Sequence, residues 1–162
     1  MLDSIDRILV ERLQADGRAT QLELAQAVGL SQPAVAERIR KLEQRGVILG
    51  YTARVDAGRL GKDVTAFIGV TVDHPRHFDA FAARVQELDD VLECHRVAGE
   101  DSYLLKVKTA NTAALDALLV GTLRTIPGVT RTHTTIVLAS IKEDGRIHLA
   151  PAAPDAPGRS AR

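Results

Sequence analysis

The basic side chains between positions 38 and 45 are the residues best suited to chemistry in this sequence. At 100° per residue, Ala34, Arg38, Lys41 and Arg45 fall on one stripe of a helix. Arginine and lysine at this spacing suit duplex DNA, because they can contact phosphates or base edges in a major groove. A solvated basic face, which is common on any helix, is the alternative. The stripe therefore indicates a DNA surface only if the surrounding elements position it as one.

Side chains that could catalyse a reaction or bind a metal are few. Cys94 and His95 are neighbours on a predicted strand, so they should point to opposite faces and form no dyad, with Cys94 a small buried hydrophobe. His74 and His77 could share a helical face, but no third ligand accompanies them, and a solvated helix start is the simpler reading. The sequence also lacks a glycine-rich phosphate loop. We therefore expect neither an enzyme, nor a metal site, nor a cofactor.

Bulk properties narrow the class of protein further. The chain has 162 residues, of which 45% are hydrophobic and 26% charged, and no apolar run approaches the length of a membrane span. A single cysteine and an N-terminus without signal-peptide features favour a cytoplasmic protein. The formal net charge is zero, so any DNA surface must be local. Aromatic residues make up only 3%, which argues against binding single strands by base stacking.

Three helices are predicted in the first 46 residues. The first runs from about Ile5 to Ala15, with Asp3 as its cap. The second begins after Thr20, which forms a capping box with Glu23, and ends at Gly29. The third follows Ser31, tolerates Pro33 in its first turn, and ends at Gly46.

Three positions identify the second and third of these helices as a helix-turn-helix. Ala25 permits close packing, Gly29 supplies a positive φ at the turn, and Val35 packs the third helix on the second. An unrelated three-helix bundle is the alternative. Residues 31–45 carry a net charge of +2, whereas residues 1–50 carry none. The predicted DNA-contacting residues all belong to this segment: Ser31, Gln32, Ala34, Arg38, Arg40, Lys41 and Arg45.

The second half of the chain predicts a ferredoxin-like fold. Val64 to Val72 alternates at period two, and Pro75 opens a helix. Two strands, Val91–Ala98 and Tyr103–Thr109, flank a Gly-Glu-Asp-Ser turn, and a second helix and a last strand from Val129 to about Ile141 follow. The order βαββαβ places both helices on one face of an antiparallel sheet.

The other face of that sheet should be uncovered and partly apolar, which predicts dimerisation by sheet packing. Its candidate residues are Phe67, Gly69, Leu92, Cys94, Leu104, Ile136 and Leu138. The predicted domains are a helix-turn-helix (1–50), a strand over 50–56 within a linker (51–63), the ferredoxin-like domain (64–142) and a disordered tail (143–162).

Eight segments together resemble the Lrp/AsnC ("feast/famine") family of prokaryotic transcription regulators. They are Ile5–Leu9, Asp16–Ala19, Val28–Ser31, Arg38–Glu43, Gly46–Tyr51, Val97–Glu100, Tyr103–Leu105 and Ile126–Val129. The resemblance extends to about Lys142. It implies an α+β architecture, with an N-terminal winged-type helix-turn-helix followed by a βαββαβ domain of the RAM/ACT-like kind.

The resemblance also implies partners. Family members pair their second domains into homodimers, which often assemble into octamer-like rings, and many bind a free amino acid between dimers. The corresponding effector residues here are Val97, Gly99, Glu100, Asp101, Thr134, Thr135, Ile136 and Val137. Many members have a second acidic residue just before the hairpin tyrosine, where this chain has Ser102. A solvated hairpin tip is the alternative interpretation of the turn.

The expected function is therefore a sequence-specific transcription regulator whose assembly and DNA affinity respond to a small effector, an amino acid by resemblance. An architectural DNA-binding protein without an effector is the alternative. A metabolic enzyme built on the ferredoxin-like domain would need a catalytic set that the sequence lacks.

Overall fold

Three short helices form the N-terminal part of the chain, each begun by a side chain that caps free backbone amides. They are α1 (Ser4–Ala15), α2 (Gln21–Val28) and α3 (Gln32–Gln44). The Asp3 carboxylate accepts from Asp6 N at 2.7 Å, and Ser31 caps α3. Thr20 and Glu23 form the predicted capping box at the start of α2. All three predicted helix starts are confirmed.

The turn between α2 and α3 has the geometry expected of a helix-turn-helix. Gly29 has φ 67°, a left-handed conformation that only glycine adopts cheaply, and Leu30 N donates to Ala25 O at 3.1 Å. Leu9, Leu24, Ala25 and Val35 form the buried core shared by the three helices. Truncating a buried leucine of this kind costs about 2–5 kcal/mol.

The structure is a computed structural model that describes residues 2–149, and its contacts divide them into two units. Unit 1 comprises residues 2–54 and 143–149, and unit 2 comprises residues 55–142. The predicted strand over residues 50–56 is wrong, because those residues take no strand conformation. A strand needs a neighbour for its backbone groups, and the described part of the chain pairs no strand with this segment.

Residues 143–149, predicted as the start of a disordered tail, instead make hydrogen bonds within unit 1. Ile147 N donates to Gln14 Oε1 at 2.7 Å, and Gln14 Nε2 donates to Ile147 O at 3.0 Å. Arg54 Nη2 donates to Glu143 O at 2.6 Å. The remainder of the predicted tail, residues 150–162, lies outside the described residues.

Unit 2 has the predicted βαββαβ order. Its elements are β1 (Val64–Val72), α4 (Phe78–Gln86), β2 (Val91–Arg96), β3 (Tyr103–Thr109), α5 (Thr112–Gly121) and β4 (Val129–Ile136). The sheet order is β2-β3-β1-β4, with every neighbouring pair antiparallel. Phe81 of α4 and Leu115 of α5 pack against Ile68 and Leu105 in one core. The α+β fold class is confirmed.

The last strand is shorter than predicted, ending at Ile136 instead of about Ile141. Ile136 pairs with Ala66, and Val137 N donates to Thr65 O at 2.9 Å. Because β1 begins at Val64, the residues of the chain after Leu138 have no β1 residue with which to pair.

The sheet face opposite the helices is less apolar than predicted. Phe67 and Leu104 lie on it, each 38% exposed. Ile136 and Cys94 were wrongly placed there, because their partners Ala66 and Leu105 face the helical core. Leu138 lies beyond the strand.

Cys94 is exposed, not buried, because β2 is an edge strand with only one neighbour. Its neighbour His95 pairs with Leu104 on the other face, so the two side chains form no dyad, as predicted.

Candidate nucleic-acid interface and effector turn

Helix α3 presents most of its positive charge on its exposed side. The side chains of Arg40 and Lys41 are 54% and 62% exposed, whereas that of Arg38 is 32% exposed. Arg40 lies about 200° around the helix from Arg38, so the two cannot address the same surface. Helix α3 therefore has two cationic sides with different surroundings.

Glu37 holds both exposed cations of α3. Its carboxylate accepts two hydrogen bonds from Arg40, from Nε at 2.9 Å and from Nη2 at 2.7 Å, and it lies 3.5 Å from Lys41 Nζ. The Arg40 hydrogen bonds, more than any other interaction, lower the pKa of Glu37. Exposed pairs of this kind contribute little to stability, so a phosphate can exchange for Glu37 at modest cost.

Arg38 instead faces the start of α1. Its Nη1 lies 2.7 Å from Asp3 Oδ2 and 2.8 Å from Asp6 Oδ1. Arg45 Nη1 lies 3.9 Å from the other oxygen of Asp6. A cleft of about 340 Å³ lies beside these groups, and its lining residues are Asp6, Ala34, Glu37, Arg38, Lys41, Leu42 and Arg45.

Asp3 makes unit 1 sensitive to acid. Its pKa is lowered from 3.8, first by the backbone N–H of Asp6 and next by Arg38. A lowered folded-state pKa means that this contribution to the free energy of unfolding is present above pH 3.8 and lost as pH falls through the folded-state pKa. We expect Asp3→Asn, which keeps a good N-cap, to lose less stability than wild type between pH 5 and about pH 2.5. Thermal unfolding across this range measures the difference, and equal acid sensitivity of the two proteins would refute it.

The seven predicted DNA-contacting residues all lie on α3 or at its two caps, Ser31 and Arg45. Ser31, Gln32, Arg40, Lys41 and Arg45 are exposed, and Ala34 and Arg38 are half-buried. Ala34, Arg38, Lys41 and Arg45 line the cleft beside α1, whereas Arg40 lies outside the cleft and shares Glu37 with Lys41.

In unit 2, the predicted effector turn folds back over β1. The Asp101 carboxylate accepts from Thr71 Oγ1 at 3.2 Å and from Arg131 Nη2 at 3.5 Å. Arg131 Nη2 also lies 3.8 Å from Glu100 Oε2. Asp101 Oδ2 sits so close to Gly69 that a Cβ there would lie 2.1 Å away. Glycine at position 69 is therefore needed to admit the Asp101 carboxylate.

The eight predicted effector residues do not form one cluster. Asp101 lies against Arg131, which pairs with Thr71 of β1. Thr135 pairs with Phe67, four residues further along β1, which corresponds to a separation of about 13 Å. Thr134 and Ile136 pair with core residues, so they face the helices, and Thr135 faces the open sheet surface. Val97 and Gly99 lie in the turn, and Val137 follows β4.

The sequence did not reveal the side chains that contact Arg38 and Asp101. Asp3 and Asp6 hold Arg38, and Gly69, Thr71 and Arg131 surround Asp101. Asp6 was detectable: one turn before Leu9, it puts a carboxylate on the buried side of α1. Arg131 was not, because its approach to Asp101 depends on the order of strands in the sheet.

Residues 2–149 contain neither a three-ligand metal site nor a membrane-spanning helix. No group of three His, Cys, Asp or Glu side chains there is arranged to hold a metal ion. Within the same range, no helix has the length and apolar character of a membrane span.

Two domains of a known protein family match this chain. The AsnC-type helix-turn-helix domain matches residues 2–43, and the Lrp/AsnC ligand binding domain matches residues 65–147. The chain belongs to the Lrp/AsnC family of transcription regulators.

Relatives in the Lrp/AsnC family share most of the chain. It is 46% identical over 143 residues to the HTH-type transcriptional regulator LrpA of Mycobacterium tuberculosis, covering 88% of this chain and 94% of that protein. The leucine-responsive regulatory protein of Salmonella typhimurium is 40% identical over 148 residues, 90% of each chain.

Two solved Lrp/AsnC-type structures contain an amino acid. A transcriptional regulator from Neisseria meningitidis, complexed with L-methionine, matches with a TM-score of 0.87 at 30% identity, covering 91% of this chain and 97% of the other. A feast or famine regulatory protein from M. tuberculosis, also complexed with L-methionine, matches with a TM-score of 0.84 at 45% identity, covering 91% and 99%.

Proposed function

We propose that this Lrp/AsnC regulator binds duplex DNA in a sequence-specific manner through α3. The observation that carries the proposal is the exposed pair Arg40 and Lys41 on the helix that follows the Gly29 turn. A helix in this position enters the major groove in helix-turn-helix proteins, with cations contacting bases and phosphates. Because unit 1 as a whole lacks a basic excess, one copy should bind weakly.

We further propose that a homodimer, and in some conditions a ring of dimers, supplies the required affinity. Phe67 and Leu104 on the open sheet face offer an apolar patch for a second copy of unit 2. Two α3 helices held at a fixed spacing bind one DNA site with an effective concentration far above that of free copies.

A free amino acid is the proposed effector, and the turn over residues 97–102 is its proposed site. A zwitterion needs an acceptor for its ammonium and donors for its carboxylate. Asp101 and Glu100 offer the first, while Arg131 and the turn amides offer the second. The L-methionine complexes of two relatives support this class of ligand.

A thermal-shift screen of the twenty amino acids tests the effector. A ligand at about 100 times its Kd adds about 2.7 kcal/mol to the free energy of unfolding, which raises Tm by roughly 5–10 °C for a chain of this size. We expect one or a few amino acids to do so. The amide of an active amino acid, which lacks the carboxylate, should be inactive. If none of the twenty changes Tm, the amino-acid effector is wrong.

A selection from a random-sequence duplex library tests whether the chain binds a specific DNA sequence. The full chain should enrich a recurrent sequence, and the selected duplex should bind at least about 1,000-fold more tightly than random duplex at the same salt. Equal affinity for both would refute sequence-specific binding.

A further inference from the structure

The contact between Arg38 and the start of α1 is unlike the other ion pairs of α3. One nitrogen of Arg38, Nη1, is shared between Asp3 and Asp6 at 2.7 and 2.8 Å. Asp6 is buried, with its side chain 11% exposed, and Arg38 is less exposed than Arg40 or Lys41. Glu37, the partner of Arg40 and Lys41, lies on α3 itself. Arg38 therefore joins α3 to the start of α1, whereas the pairs of Glu37 lie within α3. Arg45, the C-cap of α3, also approaches Asp6, but only to 3.9 Å.

Burial of Asp6 makes this contact energetically necessary. A carboxylate withdrawn from water destabilises the fold unless a cation or hydrogen-bond donors compensate it. Arg38 supplies a charge-assisted hydrogen bond at 2.8 Å, and Arg45 approaches only to 3.9 Å. Arg38 is thus the principal compensating group for Asp6 among the ion pairs of unit 1.

The contact also constrains how α3 is turned about its axis. Val35 and Leu42 bury one stripe of α3, but hydrophobic burial is non-directional and tolerates small rotations. Hydrogen bonds from a guanidinium to carboxylates are directional. Fixing Arg38 against Asp3 and Asp6 fixes the rotation of α3, and with it the directions in which Arg40 and Lys41 project.

Arg38 is poorly suited to bind a phosphate. The charges of Arg38 and Arg45 are balanced by those of Asp3 and Asp6, so this cluster has no surplus positive charge for a phosphate. A DNA phosphate approaching Arg38 would meet Asp3, whose side chain is 51% exposed. Like charges at this range repel.

We propose that Arg38 is a positioning residue, held by Asp3 and Asp6, that sets the orientation of α3 for base reading without touching DNA. The proposal rests on the proposed function of α3. It makes the N-terminus of α1 a determinant of DNA specificity through a contact made within the protein.

Charge-neutralising variants of each partner test the proposal in the full chain. Arg38→Met keeps the aliphatic stem, and Asp6→Asn keeps the size of the side chain. Both variants, and the double variant, are titrated by fluorescence anisotropy with the selected duplex and with random duplex, over a salt series. Circular dichroism and Tm establish that each variant is folded at the temperature of titration. Asp3→Asn, which alters the more exposed partner and keeps the cap, replaces Asp6→Asn if that variant is unfolded.

If Arg38 positions α3, replacing either Arg38 or Asp6 should lower the preference for the selected duplex. Arg38→Met and Asp6→Asn should each reduce the selected-to-random affinity ratio about tenfold or more, as expected for about one misdirected base contact. The double variant should lose no more than either single variant, because both break one interaction. The salt dependence of log K should stay within about 0.3 of the wild-type slope, since no phosphate contact is lost.

A direct DNA contact predicts the opposite pattern. Asp6→Asn would then free Arg38 and raise the selected-to-random affinity ratio, and Arg38→Met would lower the slope by about 0.9 per chain. Either result, or an unchanged affinity ratio in both variants, overturns the proposal. Failure of the wild type to prefer the selected duplex would instead overturn the proposed function. Arg84→Met, which breaks the exposed pair between Arg84 and Glu87 in unit 2, is the matched control and should leave DNA binding unchanged.

Discussion

Replacing Arg40 and Lys41 together by alanine should weaken the binding of duplex DNA by about 60-fold per bound chain at 0.1 M salt. The two side chains are the most exposed cations of α3, and Glu37 holds both near the same surface. Each phosphate contact releases counterions and contributes about 0.9 to the slope of log K against log salt concentration. The slope should therefore fall by about 1.8 per chain. Anisotropy titrations at several salt concentrations measure both quantities.

Glu37→Gln is the matched control, and it should change the affinity for duplex DNA in the opposite direction. It removes the carboxylate that pairs with Arg40 and Lys41 and also removes a negative charge that repels DNA. We expect tighter binding to random duplex and an unchanged α3. If the double alanine variant binds as the wild type does, or if Glu37→Gln weakens binding to random duplex, this surface of α3 does not face DNA.

Gly69→Ala should reduce the amino-acid response by about tenfold in ligand affinity, the equivalent of one lost charge-assisted contact. A Cβ at position 69 would lie 2.1 Å from Asp101 Oδ2 and 2.7 Å from its Cγ. The end of a flexible side chain can move away, so the sheet should persist while the carboxylate leaves Thr71 and Arg131. Calorimetric titration with the amino acid that raises Tm in the screen measures the effect.

Gly121→Ala is the matched control for this glycine substitution. An added Cβ at position 121, the end of α5, meets nothing within 4 Å. That variant should bind the amino acid as the wild type does and be equally stable or slightly more so. If Gly69→Ala binds the amino acid with wild-type affinity, the position of the Asp101 carboxylate does not contribute to effector binding.

Local signals in the sequence were sufficient to predict most of the fold. The Thr20 capping box, the Gly29 turn and the period-two pattern of β1 each depend on neighbouring residues, and the structure contains all three. The βαββαβ order then left few possible topologies. The strand predicted over residues 50–56 was wrong, because the local sequence does not show whether a partner strand is available.

Contacts between distant elements were harder to foresee. Arg38 was chosen for its charge and its place on a basic stripe, but the stripe does not reveal that Asp3 and Asp6 lie against it. Likewise, Asp101 was recognised in its turn, whereas its neighbours Gly69 and Arg131 come from other strands. The sequence predicted the elements and the classes of ligand, but not the ion pairs that orient the side chains.

The affinity for the selected duplex, measured with and without the amino acid identified in the thermal screen, shows whether this chain is an effector-controlled regulator. Coupling between two ligand sites is typically about 1–3 kcal/mol, so the amino acid should change DNA affinity by about 5- to 150-fold. By linkage, the DNA should change the affinity for the amino acid by the same factor. An amino acid that binds the chain yet leaves its DNA affinity unchanged would contradict an effector-controlled regulator.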